Sequence, residues 1–269
     1  MTRPVDHLDS PTAWREAGDP ELPPIVFLHG LGGTRKAWGP QLQGLSGEFR
    51  CIAWDMPGYG ASAPEPELTY AAIADRLVAL LDALELPVVD LIGLSFGGMH
   101  ALHTALRQPD RIGRMVLLDT SPAFGMNGTG KQDWIDARLG PIDAGQTPAD
   151  IAPFVLDAIV GRPLEPSIRA ELIEAFGDIP VDGFRAAVHC LPHNDLRADL
   201  HRIVQQTLVV VGEIDEETPV EYAAVLADGL PNAELHVLSG IGHLSPSEDP
   251  VAVNDLIRTF LSRSNEDTP

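Results

Sequence analysis

A serine enclosed by glycines is the residue of this chain whose surroundings most clearly predict chemistry. Ser95 lies in the sequence Gly93-Leu94-Ser95-Phe96-Gly97-Gly98. The apolar run before it predicts a strand, and the apolar residues after it recur at helical spacing. A turn this sharp strains its central residue and leaves no room for side chains at the flanking glycines. The pattern predicts a nucleophile elbow, with Ser95 as nucleophile and the Phe96 N–H as an oxyanion donor at a helix N-terminus.

A second glycine-rich turn follows the predicted strand 25–29 and has the sequence His29-Gly30-Leu31-Gly32-Gly33. Such a turn presents free backbone amides, and we predict that the Leu31 N–H is the second oxyanion donor. We interpret His29 as a residue that braces this loop by hydrogen bonding. Asp55, which closes the next strand, is expected to fix loop amides.

The remaining members of a triad are expected after the serine, with the acid before the histidine. His243 follows the predicted strand 233–239 in a glycine-rich loop, so it is predicted to be the general base. Asp215 lies three residues after Gly212 and is predicted to orient His243 and to stabilise its protonated form. Asp119, at the end of the predicted strand 115–119, is the rival acid, and Asp215 is favoured.

The other titratable residues are interpreted as structural. His236 is expected to pack or to face solvent. Paired histidines without a third ligand make poor zinc sites, so no metal site is predicted from them. This applies to His100 with His103 and to His189 with His193. The three glutamates around Asp215 are interpreted as surface charges: Glu213, Glu216 and Glu217.

Composition limits the partners of the protein. The 269 residues include 39 acidic and 18 basic ones, for a net charge of −21. This charge repels nucleic acids and anionic membranes, so neither is an expected partner. No apolar run approaches the roughly 20 residues of a membrane span. Cys51 and Cys190 are expected to be free thiols in a reducing, cytoplasmic environment. The oligomeric state has no indication in the sequence.

Six short apolar runs predict strands of a mostly parallel sheet buried between two helix layers. They cover residues 25–29, 51–55, 88–94, 115–119, 208–212 and 233–239. Apolar residues at helical spacing predict a helix over residues 69–84. The stretch 122–200 contains no convincing strand and is too long for a loop. We predict that it is a helical cap inserted into a core formed by residues 1–121 and 201–269.

The motifs together resemble those of the α/β-hydrolase superfamily, in its order and at its intervals, from about Val5 to Ser262. They are His-Gly-Leu-Gly-Gly, Asp-Met-Pro-Gly-Tyr-Gly-Ala-Ser, Gly-Leu-Ser-Phe-Gly-Gly, Gly-Glu-Ile-Asp and Gly-Ile-Gly-His. Within the superfamily the chain is most similar to capped esterases and the 3-oxoadipate enol-lactonase-like group. That closer likeness depends on Gly183-Phe184 and on Asp195, Leu196 and Leu200 ahead of the strand that precedes Asp215.

The resemblance implies the α/β-hydrolase fold and a serine hydrolase that cleaves a small-molecule ester or lactone through an acyl-enzyme, a reaction that needs neither a cofactor nor a metal. Serine in the elbow, in place of aspartate, argues against haloalkane dehalogenase or epoxide hydrolase chemistry. Three alternatives stay open: hydrolysis of a C–C bond in a vinylogous diketone, cofactor-free perhydrolase activity, and a non-catalytic receptor or scaffold. The acyl and leaving groups are not encoded in a readable pattern.

Charge also bears on the substrate. An anionic lactone would approach this acidic chain against its field and would need a local arginine. The predicted cap offers Arg138, Arg162, Arg169, Arg185 and Arg197. Of these Arg185, beside Phe184, is the favoured ligand for an anion. We expect instead a neutral or weakly charged ester or lactone in an apolar pocket.

Overall fold

One eight-stranded sheet organises the chain. The computed structural model describes residues 3–8 and 11–263. The strand order is β1-β2-β4-β3-β5-β6-β7-β8; β1 pairs antiparallel with β2 and β2 with β4, while the other five pairs are parallel. The strands are β1 (Val5–His7), β2 (Trp14–Ala17), β3 (Pro24–Leu28), β4 (Arg50–Trp54), β5 (Val89–Leu94), β6 (Ile112–Leu118), β7 (Thr207–Gly212) and β8 (Ala233–Leu238).

Helices cover both faces of this sheet. Successive residues of a strand point to opposite faces, so β3 places Val26 and Leu28 in one apolar cluster and Ile25 and Phe27 in the other. The first cluster includes residues of α2 (Tyr70–Ala83), α3 (Phe96–Arg107) and α8 (Val220–Gly229). The second includes residues of α1 (Gly39–Leu45) and α10 (Pro250–Leu261). The predicted mostly parallel sheet between two helix layers is therefore confirmed.

The six predicted strands are confirmed as β3 to β8, with shifted ends. β6 begins at Ile112, three residues before its predicted start. β8 forms the edge of the sheet and is half-buried, so the expectation of burial on both faces is wrong for this strand. β1 and β2 are absent from the prediction because they are short and mostly polar. The helix predicted over residues 69–84 is α2, whose first turn is capped by the Thr69 side chain.

Four α-helices lie between β6 and β7 in the chain: α4 (Lys131–Asp143), α5 (Pro148–Ile159), α6 (Pro166–Gly177) and α7 (Val181–Cys190). Thr147 and Asp150 form a reciprocal capping box that fixes the start of α5. The division into a cap at 122–200 and a core at 1–121 and 201–269 stays a prediction. Residues 1–2, 9–10 and 264–269 of that predicted core lie outside the described part of the chain.

Two further observations concern the helices and the cysteines. In the described ranges no helix is both long and apolar enough to cross a membrane. Cys51 and Cys190 are both free and buried. The cytoplasmic location stays a prediction.

Candidate active site

Ser95 lies at the sharp turn between β5 and α3. Its φ of 53° and ψ of −116° are values that residues with side chains rarely adopt. A Cβ on Gly93 would collide with the carbonyl of Gly97, and a Cβ on Gly97 would collide with the carbonyl of Leu28. The turn therefore requires both glycines, and it fixes Ser95 at the carboxyl end of the central strand β5.

A continuous chain of hydrogen bonds joins Ser95 to Asp215 through His243. The Ser95 Oγ is 2.9 Å from the His243 Nε2. On the other side of the ring, Nδ1 is 2.8 and 3.0 Å from the two carboxylate oxygens of Asp215. The three residues follow β5, β7 and β8, and the carboxyl ends of parallel strands lie at one edge of the sheet. The structure thus brings together the three residues predicted as a triad.

The Asp215 carboxylate is fully buried and has further donors. It accepts the backbone N–H groups of Glu217 and Thr218 at 2.9 and 3.0 Å and the Thr218 hydroxyl at 2.8 Å. Burial opposes ionisation, but His243 and these donors outweigh it and lower the pKa of Asp215. Burial also opposes the charged form of His243. The Asp215 carboxylate outweighs this effect of burial and raises the pKa of His243 to about 9. The arrangement stabilises an imidazolium beside Ser95.

Asp119, the rival acid, is a second buried carboxylate at the end of β6. Its two oxygens accept the backbone N–H groups of Gly212 at 3.0 Å and Ser245 at 2.9 Å. Within the described residues no hydrogen bond joins it to His243. Burial raises the pKa of Asp119 to about 7, against the opposing effect of His243. Asp119 therefore joins the end of β6 to the end of β7 and to the chain after His243.

The two predicted oxyanion donors belong to the turns beside Ser95. Phe96 is the first residue of α3, so its N–H has no acceptor within the helix. The loop that contains Leu31 passes close to the serine, since a Cβ on Gly30 would lie 3.4 Å from the Ser95 Cβ. The Tyr59 hydroxyl donates to the Leu31 carbonyl at 3.0 Å. Among the described residues neither the Leu31 N–H nor the Phe96 N–H donates to a protein acceptor.

Glu248, a buried carboxylate at the end of α9 (Ser245–Glu248), fixes the loop that carries His243. Its Oε2 accepts the Gly242 N–H at 3.0 Å, and its Oε1 accepts the Leu244 N–H at 3.1 Å. The carboxylate thus binds the residues on both sides of His243. Sequence reasoning missed Glu248 because its partners are backbone amides, which leave no pattern of side chains.

The same carboxylate links this loop to the segment after α5. The Glu248 Oε2 also accepts the N–H groups of Gly161 at 2.9 Å and Arg162 at 3.2 Å. The backbone N–H of His243 donates to the Ile159 carbonyl at 2.9 Å. The position of His243 therefore depends on α5 as well as on the sheet.

Ser95 and His243 lie where two cavities meet. The larger, of about 410 Å³, is lined mostly by apolar side chains from α4 to α7 and by the loop at 29–33. The smaller, of about 250 Å³, is lined by the loop between β6 and α4 and by the chain after β7. Its polar lining residues include Ser121, Asn127, Thr129, Glu216, Glu217, Thr218 and Tyr222. A substrate bound across Ser95 can therefore place an apolar part in one cavity and a polar part in the other.

An ion pair lines both cavities. The Arg138 Nη2 on α4 is 2.8 Å from the Glu217 Oε2, and the guanidinium lies 4.2 Å from the centre of the Trp134 ring. Glu217 is 42% exposed at the side chain, as the interpretation of a surface charge requires, and it also lines both cavities, which the sequence did not indicate. Arg185, the arginine favoured from the sequence, lines neither cavity and pairs with Asp143 at 2.5 Å. The arginine of the predicted cap that lines the cavities is instead Arg138, because it lies on the side of α4 that faces them.

The residues interpreted as loop braces have that role. The His29 Nδ1 is 2.9 Å from the carbonyl of the next residue, and its Nε2 accepts the Met56 N–H at 3.1 Å. Asp55 accepts the backbone N–H groups of Arg35 at 2.7 Å and Ala61 at 3.0 Å. Both residues hold the loops around the elbow, and both predictions are confirmed.

His100, His103 and His236 make their contacts with residues outside the triad. The His103 Nε2 is 3.0 Å from the Asn194 side-chain oxygen, His100 is buried, and His236 is partly exposed on β8. In the part of the chain that the structure describes, no three His, Cys, Asp or Glu side chains are grouped to hold a metal ion. A site without metal or cofactor stays a prediction.

The sequence and the fold of this chain are similar to those of several known proteins. A model of the family described as "Alpha/beta hydrolase family" matches residues 25–256. The 2-hydroxymuconate semialdehyde hydrolase of Pseudomonas sp. strain CF600 is 31% identical over 265 residues, which cover 90% of this chain and 88% of that protein. The 3-oxoadipate enol-lactonase 2 of Acinetobacter baylyi is 26% identical, over 92% of each chain. The structure of a thermophilic esterase from Thermogutta terrifontis, with malate bound, has a TM-score of 0.82 at 27% identity and covers 97% of this chain and 98% of its own.

Proposed function

The chain belongs to the alpha/beta hydrolase family, and on that premise we propose that it is a serine hydrolase that cleaves a carboxylic ester or lactone of a small molecule. One observation carries the proposal. The hydrogen-bond chain from Ser95 through His243 to Asp215 ends at the junction of two cavities. A nucleophile, a base and an orienting carboxylate are the groups that acyl transfer from an ester requires.

In the proposed first step the Ser95 Oγ attacks the substrate carbonyl while its proton passes to the His243 Nε2. The Ser95–His243 distance of 2.9 Å supports a direct transfer. Asp215 stabilises the imidazolium that forms. The charge on the carbonyl oxygen is held by the N–H groups of Leu31 and Phe96. His243 then returns the proton to the leaving alcohol, and an acyl-enzyme on Ser95 remains.

In the second step water attacks this acyl-enzyme. His243 removes the proton from water as it did from Ser95, and the same two N–H groups hold the second oxyanion. The acid product leaves and Ser95 recovers its proton. All of these steps use side chains and amides of this chain, so the proposal requires no cofactor.

The lining of the cavities supports a neutral substrate with an apolar part. The larger cavity is mostly apolar, and the Arg138 charge is already paired with Glu217. Two connected cavities suit a bond whose two sides differ in polarity.

A second candidate is hydrolysis of a C–C bond in a vinylogous diketone. It is favoured by the 31% identity to a 2-hydroxymuconate semialdehyde hydrolase over most of both chains. The same triad can serve both reactions, so a vinylogous diketone belongs in the substrate panel beside neutral esters and lactones.

The first prediction concerns Ser95. Ser95→Ala should lower kcat on the best substrate of the panel by about 10⁴- to 10⁶-fold, because the nucleophile is lost and only binding and the oxyanion donors remain. A fluorophosphonate probe, which labels activated serines, should label the native protein and not this variant. Circular dichroism checks that the variant is folded.

Ser239→Ala is the matched control, because this exposed hydroxyl pairs with Glu213 and lies outside the triad. It should retain both labelling and turnover. Near-native turnover in Ser95→Ala would remove the assignment of the nucleophile. A native protein that is neither labelled nor active on the panel would favour the receptor or scaffold alternative.

A further inference from the structure

Arg138 is the one arginine or lysine among the described residues that line the two cavities. A guanidinium that lines the same cavities as Ser95 would bind a substrate carboxylate there, since arginine offers paired N–H donors to two oxygens. Its position alone therefore predicts an enzyme for anionic substrates. The neighbouring carboxylate of Glu217 reverses this expectation.

Glu217 occupies the donors that a substrate carboxylate would use. Its Oε2 is 2.8 Å from the Arg138 Nη2, and its side chain lines the same two cavities. A substrate carboxylate would have to displace Glu217 or approach its negative charge. The pair presents no net charge to the cavities, and Glu216, which lines the smaller cavity, adds a negative charge that a substrate carboxylate would also meet.

The guanidinium is held in place independently of Glu217. It stacks on the Trp134 ring at 4.2 Å and is only 29% exposed at the side chain. Burial lowers the pKa of Arg138, and Glu217 opposes this effect. Because Trp134 lies one helical turn before Arg138 on α4, the cation is expected to stay at the cavities when Glu217 is neutralised.

The other arginines of the predicted cap do not offer a replacement. Each pairs with a carboxylate and lines neither cavity: Arg162 with Asp249, Arg169 with Asp157, Arg185 with Asp143 and Arg197 with Asp195. Any gain in affinity for an anion at this site would therefore be traceable to Arg138.

We propose that Glu217 masks Arg138 and thereby makes the site selective for neutral substrates, and that neutralising Glu217 turns Arg138 into a subsite for the carboxylate of an anionic ester. This inference rests on the proposed ester or lactone hydrolysis. It concerns selectivity at that site and adds no chemical step.

The test compares two aryl esters of equal chain length, one with a neutral acyl end and one with a terminal carboxylate. The measured quantity is the ratio of kcat/KM for the carboxylate ester to that for the neutral ester. Glu217→Gln keeps the size of the side chain and the backbone N–H that binds Asp215. We expect a ratio below one in the native protein and a rise on the order of tenfold in this variant, mainly through KM, as for one partly exposed ion contact.

The ratio is chosen because Glu217 also helps to raise the pKa of His243. A change in the base affects both esters and cancels in the ratio. The gain should be lost in the double variant Arg138→Met/Glu217→Gln, which removes the cation. Glu217→Ala also unmasks Arg138 and should shift the ratio in the same direction. It replaces Glu217→Gln in the test if that variant folds poorly.

Asp136→Asn is the matched control for net charge. Asp136 is exposed, lies on the same helix and lines neither cavity, so the ratio should stay near its native value. An unchanged ratio in both Glu217 variants, an equal rise in Asp136→Asn, or a native preference for the carboxylate ester would each overturn the inference. In these cases Ser95-dependent turnover of the neutral ester leaves the proposed function standing. If neither ester is hydrolysed by any of these proteins, the proposed function and this inference both fall.

Discussion

Two buried carboxylates, Asp215 and Asp119, influence the pKa of His243 but make different contacts. Asp215 contacts the ring directly, at 2.8 and 3.0 Å from Nδ1, whereas Asp119 binds backbone N–H groups of Gly212 and Ser245. Both negative charges raise the pKa of His243, with Asp215 as the larger influence. Only Asp215 can fix the tautomer in which Nε2 faces Ser95.

This difference predicts how the two aspartates affect the rate. Asp215→Asn should lower kcat by roughly 10⁴-fold, because an amide at this position favours the wrong tautomer of His243. Asp119→Asn should cost far less, because the Asp119 oxygens bind the backbone N–H groups of Gly212 and Ser245 instead of the ring. Steady-state kinetics on the neutral ester measures both. The reverse ranking would move the acid to Asp119 and leave Ser95 and His243 in their roles.

The pH dependence of kcat/KM supplies a second prediction for the same residues. His243 must be neutral to accept the Ser95 proton, so the rate should rise with pH through the pKa of the free enzyme. Because Asp215 raises that pKa, the midpoint should lie above the ordinary imidazole value of about 6.5. Asp215→Asn removes the raising charge, so the remaining activity should have a lower midpoint. A midpoint that does not change in this variant would contradict the electrostatic link between the two residues.

The triad residues and the loop braces could be predicted from sequence because short motifs carry them. Ser95 and His243 lie in glycine-rich turns whose flanking strands are visible as apolar runs, and Asp215 follows such a run at a fixed distance. The Arg138–Glu217 pair joins residues 79 positions apart. No local pattern connects them, and nothing in the sequence distinguishes Arg138 from the other four arginines of the predicted cap.

At the scale of elements, hydrophobic runs predicted the strands that the core buries. β3 to β7 are apolar because both of their faces are covered by helices. β1 and β2 escape detection because they have only three and four residues, and β1, at the edge of the sheet, is mostly exposed. The paths of α4 to α7 could not be predicted, since their apolar residues face the larger cavity and each other as well as the core.

The link between α5 and the His243 loop gives a prediction at this scale. Glu248 accepts N–H groups from residues on both sides of His243 and from Gly161 and Arg162 after α5. In Glu248→Gln one oxygen becomes an amide donor that faces N–H groups. We expect kcat to fall about 10- to 100-fold through misplacement of the imidazole, with a smaller change in KM. The rate of fluorophosphonate labelling should fall in parallel, because it depends on the same base.

Asp249→Asn is the matched control for this prediction. Asp249 adjoins Glu248, caps α10 and pairs with Arg162, but it does not bind the His243 loop. Asparagine also caps helices well, so kcat should be retained. Equal losses in both variants, or a loss confined to thermal stability in Glu248→Gln, would show that Glu248 has no positioning role.

For the whole molecule, the dominant physical property is its charge. With 39 acidic and 18 basic residues, the net charge of −21 produces a negative field around the entire protein. The cavities at Ser95 lie inside this field, and their own arginine is neutralised by Glu217. A carboxylate substrate therefore meets repulsion at long range and no free cation at short range.

The salt dependence of the rate distinguishes the effect of distant charges from that of a contact inside the cavities. Raising ionic strength from about 0.01 to 0.15 M shortens the Debye length from about 30 to 8 Å, which screens the field of distant charges far more than a contact inside the cavities. In the native protein, kcat/KM for the carboxylate ester should therefore rise with salt, while that for the neutral ester stays nearly constant. A cationic ester should show the opposite trend, since the field attracts it. If kcat/KM for the carboxylate ester fell with salt, a local cation would outweigh the net charge, and the expectation of a neutral substrate would be wrong.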